Sequence, residues 1–533
     1  MSRVVDQETA RTDSFLVQQM QGFNLTRAII SNELHGIFST QTLRDMYGII
    51  KDYEVYTKGA DFTVDQSSND WSPATWHAKE IKTLIDKEAR FMFSVPPDIR
   101  LKDRGDNPQQ QRVQPNEVLL QKVLENNKFN SKLVRAAKDY LIGKRIAIAV
   151  NFNAEAGITI SFIPSLEFVY ETDERNVDRM TKFIQFYTVV SNDEKTQQRI
   201  YKKKWYLDEN SGKCHVSEGV YDGNAKLIDE LLADTTTEFD YIPISVVIND
   251  GLVNDPFGVS EVEALQATEE WYSKLSNKDI DSLRKGTDQI TWALDIDPRT
   301  TADLSRAPGA FWDLQTDPAQ EGRTGSVGVL DNPMSYSTAL DSTLKRLKTS
   351  MYSALDVPDT SNEALQGMVT SGKTMQAVYW GLMTRCSEKM LDWVPAFKSM
   401  VRTVIEGCKM YPEVYKLYEG EPLVDDYEII VESNYPILQD DIEEKSSDIL
   451  EVNAKVRSRK SYMKKWQGLT EQEIDEELKQ IQLEASMLEQ ENYFAEDMGE
   501  EPEEEPEEPE EPEENPEEED DIEKLLSQLE SEL

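Results

Sequence analysis

Residues 367–374, Gly-Met-Val-Thr-Ser-Gly-Lys-Thr, satisfy the spacing G-x-x-x-x-G-K-[ST] in full. In a nucleotide site the backbone amides of such a loop wrap phosphates, the lysine meets their charge and the final hydroxyl holds Mg²⁺. That chemistry needs a buried strand running into the loop and a helix leaving it. A helix is predicted from about Thr374, but the preceding DVPDTSNEALQ contains a proline and no β-branched or aromatic run. A second carboxylate would be wanted at the end of a later apolar strand, and the candidate there is Glu432 in EIIVES, since Asp250 in VVIND precedes the loop. Alternating strand and helix units that would build a parallel sheet are not visible either. The motif is therefore expected to be a polar loop capping a long helix, with a P-loop ATPase as the alternative.

Other chemistry has less to work with. Cys214, Cys386 and Cys408 are too few for a disulfide framework, and His35, His77 and His215 form no cluster at metal-ligand spacing, so no metal or cofactor is expected. Cys214 beside His215 would suit a thiolate site only with a third partner; the alternative is an ordinary exposed pair. Carboxylate pairs such as Asp425 and Asp426, or Asp440 and Asp441, lie among 101 acids, so adjacency carries little information. The run Lys202, Lys203, Lys204, Trp205 has the composition of a nucleic-acid patch, but on a strand it alternates faces, and an edge or interface strand is expected.

The elements that would carry these residues change in character along the chain. Up to about residue 250 the pattern is mixed. Helices are predicted at Leu25 to His35, Gln41 to Tyr53, Ala74 to Phe93, Glu117 to Glu125 and Asn130 to Leu141. IAIAVNF and GITISFI flank the turn NAEAG as a hairpin, followed by strands in FIQFYTVV, QRIYKKKWYL, KCHVSEGVY and IPISVVIND. Ser260 and Glu263 then fit a capping box for a helix to about Lys285. Residues 286–333 break into short β-like runs, QITWALDI and GAFWDL, before a second helix from Tyr336 to Leu355 that Pro358 ends. From Met375 to Cys408 apolar residues keep helical spacing through Pro395, which predicts one long kinked helix whose Met and aromatic stripe is packing. YEIIVES reads as a strand, and residues 440–493 as a helical bundle with a turn near Gly468 and a charged helix from Glu471. The fold class is mixed α+β, mainly helical.

At 533 residues the chain exceeds what one hydrophobic core normally serves, and a mean hydropathy of -0.59 indicates much solvated chain. No stretch approaches 18 apolar residues and the N-terminus has no signal-like run, so a soluble cytosolic product without membrane contact is expected. The net charge is -44, and residues 500–521 hold sixteen acids, five Pro and one Asn. Such a segment repels itself and cannot bury enough apolar area to fold. Beyond it Ile522, Leu525, Leu526, Leu529 and Leu533 recur at helical spacing; a docking helix and a frayed terminus are equal readings. Without residues 500–533 the charge is still -26, the wrong sign for gripping duplex DNA.

Taken in order, these segments resemble the portal proteins of tailed bacteriophages over roughly residues 25–495. The resemblance is carried by NEVLLQKVLENNKFNSKLVRAAKDYLIGKRIAIAVNF with its hairpin and ISFIPSLEFVYETDE, then DPFGVSEVEALQATEEWYSKLS, the β insertion, the returning helix, the polar loop, SGKTMQAVYWGL and TEQEIDEELKQIQLEASML. It implies a portal fold with a wing (1–255), a stem helix (256–285), a clip (286–334), a second stem helix (335–356), a tunnel loop (357–373), a kinked helix returning to the wing (374–439), a helical crown (440–495) and an acidic tail (496–533). It also implies a non-catalytic ring, usually of twelve subunits, at the portal vertex of a virion assembled in the host cytoplasm. Double-stranded DNA would pass through without sequence preference. Expected partners are other copies, the terminase large subunit, major capsid and scaffold proteins, and head-completion or adaptor proteins. The implied channel residues are Asn362, Gln366, Met368, Thr370 and Lys373 of the loop with Lys345 and Lys348 of the second stem helix, the lysines being solvated or salt-bridged in the alternative reading. Trp292, Phe311 and Trp312 would anchor a clip partner, with local packing the alternative. An acidic lining that repels phosphates suits sliding DNA. The tail lies outside the resemblance.

Overall fold

The computed structural model describes residues 40–62, 72–104, 110–189, 199–222, 226–252, 255, 257–297 except 288 and 289, 315, 325–330, 336–359, 372–418, 420–436, 441–466, 474, 477–481 and 483. In chain order the first elements are α1 (Thr40–Lys58), α2 (Glu80–Phe93), β1 (Asp98–Asp103), α3 (Gln110–Asn126) and α4 (Phe129–Gly143). A run of strands follows: β2 (Arg145–Asn153), β3 (Gly157–Pro164), β4 (Phe168–Thr172), β5 (Met180–Val189), β6 (Arg199–Leu207), β7 (Cys214–Tyr221), β8 (Leu227–Thr236) and β9 (Ile244–Ile248). Next come α5 (Glu261–Thr287), β10 (Ile290–Leu294), β11 (Ser326–Leu330), α6 (Ser337–Ala354), α7 (Gly372–Met410), α8 (Pro412–Lys416) and β12 (Tyr427–Glu432). Two helices, α9 (Asp441–Asn453) and α10 (Arg459–Trp466), belong to a separate compact unit that begins at Asp440. The predicted helix Leu25 to His35, the run GAFWDL, the turn near Gly468 and the tail lie outside the described residues.

Every strand pairing among the described residues is antiparallel. β2 is the centre of a three-stranded sheet, β3-β2-β9, and it is buried on both faces. Because side chains alternate along a strand, Ile146, Ile148 and Val150 enter the main core while Ala147 and Ala149 face a second cluster with Phe168, Phe183, Trp205 and Phe239. The long helix α7 crosses the main core, and its predicted apolar stripe is the buried face: Leu382, Cys386, Met390, Trp393, Phe397, Val401, Val404 and Cys408. Trp393 meets Phe93 and Tyr140 edge-on at centroid distances of 5.1 and 5.3 Å. A single helix of 39 residues, about 58 Å at 1.5 Å per residue, runs through Pro395, whose ring is on the exposed face. Near its end a methyl on Gly407 would overlap the Phe152 ring, so the absence of a side chain there lets α7 seat against β2.

Four expectations need correction. The lysine-rich strand β6 is not an edge; it is the middle of the five-stranded sheet β4-β5-β6-β7-β8. Carboxylate, amide and aromatic partners make this tolerable: Lys203 pairs with Glu218 on β7 and donates to Asn151 Oδ1 at 3.0 Å, Lys202 lies over the Tyr221 ring of β7, and Lys204 lies over the Tyr206 ring of its own strand. Cys214 and His215 are not an exposed pair. Cys214 is fully buried and burial pushes its thiol up to about 11, which opposes a thiolate, while His215 stacks on Tyr206. In the expected capping box, Ser260 Oγ does accept from the Val262 N–H at 3.2 Å, but Glu263 turns away to Lys144 Nζ at 2.8 Å.

The predicted helix from Ala74 begins only at Glu80, and the segment before it does something else. Residues 72–79 run extended along α5, antiparallel to it, and α5 reaches up to them with a side chain every fourth residue. Asp281 accepts from the Ala74 N–H (3.0 Å), Asn277 from Trp76 (2.7 Å), Ser273 from Ala78 (3.1 Å) and Glu269 from Ile81 (3.3 Å). Asn277 also donates to the Trp76 carbonyl, and Arg284 to that of Ser72 at 2.9 Å. The match is geometric. Two extended residues advance about 6.6 Å and four helical residues about 6.0 Å, so alternate peptide groups stay in step with one stripe of the helix. The strap thereby satisfies its backbone without joining a sheet.

Two outcomes follow from this packing. Asn277→Ala orphans both peptide groups of Trp76, so the Trp76 and Ala78 amides should lose at least tenfold protection in hydrogen exchange, equivalent to about 1–2 kcal/mol. Burial raises the Glu269 carboxyl from 4.5 to about 7. The protonated form is favoured in the folded state, so its contribution is fully present below 4.5, declines as pH rises and is lost above about 7. Thermal melts from pH 5 to 8 should show the native protein losing about 1–3 kcal/mol relative to Glu269→Gln.

Candidate functional site

The part of the chain that the sequence singles out is the helix pair α5 and α6 with the β10–β11 hairpin between them, followed by the start of α7. α5 spans about 40 Å and α6 about 27 Å at 1.5 Å per residue, and the two pack along each other. What holds α5 to the elements beneath it is a buried ionic cluster at its first turn.

Glu261 on α5 and Glu88 on α2 share two cations from α7. Arg385 Nε donates to Glu88 Oε1 at 3.1 Å and its Nη2 to Glu261 Oε2. Lys389 Nζ donates to Glu261 Oε1 and to Asn249 Oδ1, and stands 3.7 Å from Glu88 Oε1. Asn249, just past β9 and fully buried, donates to the Val259 carbonyl at 2.7 Å and to Glu261 at 3.2 Å. The connection from Asn249 to Ser260 is equally constrained. Gly258 has φ +75, and a Cβ there would strike the Asn249 carbonyl, so only glycine closes this turn.

Two negative and two positive groups leave the cluster neutral, as burial requires. Burial and the neighbouring Glu261 charge push Glu88 up to about 7. Burial acts on Glu261 in the same sense, but Lys389 and Arg385 outweigh it and hold that carboxyl below its ordinary value. Nearby, burial and Glu263 raise Asp52 to about 7, while Ser260 hydrogen-bonds it. One oxygen each of Asp52, Glu88 and Glu269 has no hydrogen-bond partner, so buried carboxyl groups surround the base of α5.

Of the residues predicted to meet DNA, Lys345 is exposed on α6. Lys348 lies one turn on, 3.7 Å from Glu80 Oε1 at the start of α2, and against the Tyr352 ring. Lys373 falls in the first turn of α7, and its side chain is outside the described residues, as are Asn362, Gln366, Met368 and Thr370. Trp292 on β10 is 39% exposed, with its ring over Gly328 of β11, where a methyl would come within 2.6 Å of it. Its neighbours Leu294 and Val327 are also exposed. Phe311 and Trp312 lie outside the described residues. Glu432, the carboxylate wanted by the nucleotide reading, ends β12 and pairs with Arg100 on β1 across an antiparallel ladder.

Sequence reasoning passed over the ionic cluster, although a signal was present. Glu88 sits on the same helix face as Ile81, Leu84, Ile85 and Met92, and Lys389 lies within the Cys386, Met390 and Trp393 face. Opposite charges on two apolar stripes are a pairing signal, because neither could be buried alone.

No curated protein matches the chain. The family model for phage portal proteins, described as SPP1 Gp6-like, matches residues 77–491. That span takes in the end of the strap, the described sheets, the helix pair with the ionic cluster at the base of α5, α7 and the helices α9 and α10, and by it the chain belongs to the phage portal protein family.

Proposed function

We propose that this chain assembles into a ring at one vertex of a phage capsid and conducts double-stranded DNA during packaging and ejection. The observation that carries the reading is the family match over residues 77–491. In it α5 and α6 are the stem, the β10–β11 hairpin belongs to the clip, residues 357–373 form the tunnel loop and residues 440–495 the crown. Wall-forming helices need a fixed base, and the ionic cluster with the strap supplies one. A closed ring also needs two different mutually fitting faces on each subunit. Trp271 on α5 and Trp380 and Leu391 on α7 leave large apolar side chains 54%, 64% and 73% exposed, a surplus that a neighbouring copy would cover.

Lys345 is better placed than Lys348 to meet passing phosphates, since Lys348 has Glu80 beside it. The negative body keeps such contacts weak, so DNA slides. The terminase large subunit and head-completion proteins would dock at the hairpin through Trp292 and its exposed apolar neighbours. Capsid and scaffold proteins would meet the outer part of the ring. No catalytic step is assigned to the chain.

Negative-stain electron microscopy of the full-length protein tests this: rings with an axial hole are expected, and closed shells or persistent monomers would contradict it. Mg-ATP binding abolished by Lys373→Ala would instead support the P-loop reading of residues 367–374.

A further inference from the structure

Acids outnumber cations in this chain by 101 to 57, so a group of cations that folding leaves unpaired is informative. Such a group lines a cleft of about 260 Å³ between α7 and the β1–β12 ladder. Lys398 and Arg402 stand one turn apart on α7, and Arg104 reaches the cleft from just past the end of β1. All three are exposed, and among the described residues none of them makes an ion pair or a hydrogen bond. The acids at the same cleft are engaged by other groups. Glu406, one turn beyond Arg402, accepts from the Tyr241 hydroxyl at 2.7 Å, Asp425 pairs with Lys409, and Glu428 stands opposite Lys102 in the ladder. Folding does not account for this arrangement. Like charges four residues apart on a helix repel each other, and Glu406 has the spacing at which a helix pairs an arginine, yet Tyr241 holds it.

A fourth group at the cleft is of the same kind. Burial, and after it the Glu406 charge, push the Tyr427 hydroxyl up to about 12 against the opposing pull of Arg402, so it remains a donor at neutral pH. Two guanidinium forks, an ammonium and a phenol thus offer donors with little acceptor capacity among them. That set matches a tetrahedral oxyanion, whose oxygens accept from several directions and whose charge answers more than one cation. The cleft is smaller than the roughly 300–1,000 Å³ of pockets that take drug-sized molecules, so it suits a single phosphate group rather than a whole nucleotide. We propose that Arg104, Lys398, Arg402 and Tyr427 form a phosphate-binding site, taking free phosphate or one phosphate of a nucleic-acid backbone. The net charge of -44 opposes anions at long range, but salt screens charges beyond about 8 Å, and within that distance the cleft cations act first. The site is separate from the channel lysines of the portal reading, and the proposal does not depend on ring formation.

Calorimetric titration of the full-length protein with inorganic phosphate, at constant ionic strength, tests the site. Arg402→Gln should weaken phosphate binding by about tenfold or more, since it removes a charge-assisted donor, and Arg104→Gln and Lys398→Gln should each weaken it by about threefold or more. Lys345→Gln on α6 should leave the affinity unchanged. Because these cations hold no partner in the fold, thermal melts without phosphate should be the same for the three cleft variants as for the native chain. A short DNA duplex, followed by anisotropy, separates the two sources: a backbone site gives duplex that displaces phosphate and loses affinity in Arg402→Gln, and a free-phosphate site gives duplex that does neither. The absence of phosphate binding, or an affinity that Arg402→Gln does not change, would overturn the proposal. So would a lower melting temperature of the variants without phosphate, which would make the cations structural, or a polyglutamate peptide that binds the cleft more tightly than phosphate.

Discussion

The neutral buried quartet of Glu88, Glu261, Arg385 and Lys389, closed by Asn249, is the contact on which the rest of the arrangement depends. It joins α2, α5, α7 and the end of β9 within one cluster. Charges in such a place are a poor source of net stability, because desolvation consumes most of the attraction. Their value is directional. A purely apolar junction would let α5 rotate or slide by a turn at modest cost, whereas here any slip leaves a charge without its partner, a penalty of about 3–5 kcal/mol. α5 can therefore project a long way from the body and keep one orientation.

The strap extends the same constraint outward. Beyond Leu265 the buried side chains of α5 are polar, Glu269, Ser273 and Asn277, and each holds a peptide group of residues 76–81. An apolar stripe would have asked for another helix; a polar stripe at four-residue spacing accepts an extended chain. α5 is thus fixed at its base by ions and along its length by hydrogen bonds from its side chains to the strap backbone, and α6 packs along it, leaving Trp271 and Lys345 exposed. In the proposed ring those faces would meet a neighbour and the channel.

How much of this was legible in the sequence followed the range of the interactions. The stripe of α7 and the β2–β3 hairpin are local periodicities, and both are where the pattern put them. β8, LIDELLADTT, has the composition of a helix and is a strand because β7 offers it a partner, a tertiary effect that outweighs propensity. The strap has no period of its own, since the spacing that explains it lies 200 residues away on α5. The position of β6 at the centre of its sheet was hidden for the same reason: Glu218, which pairs with Lys203, belongs to another strand. Of the candidate site, the helix pair and the strand within QITWALDI were foreseen; its partner β11 was not, and neither was the ionic base, because its members at 88, 249, 261, 385 and 389 meet only after folding.

The central claim is that the quartet, rather than the surrounding apolar contacts, sets the position of α5. A double-mutant cycle on Glu261→Gln and Lys389→Met, read by hydrogen exchange at the amides of residues 264–270, tests it most directly. Lys389→Met alone should lower protection there by about a hundredfold or more, and the double variant should recover to within about tenfold of the native chain, since no charge is then left unpaired. Additive losses, or protection unchanged in Lys389→Met, would contradict the account.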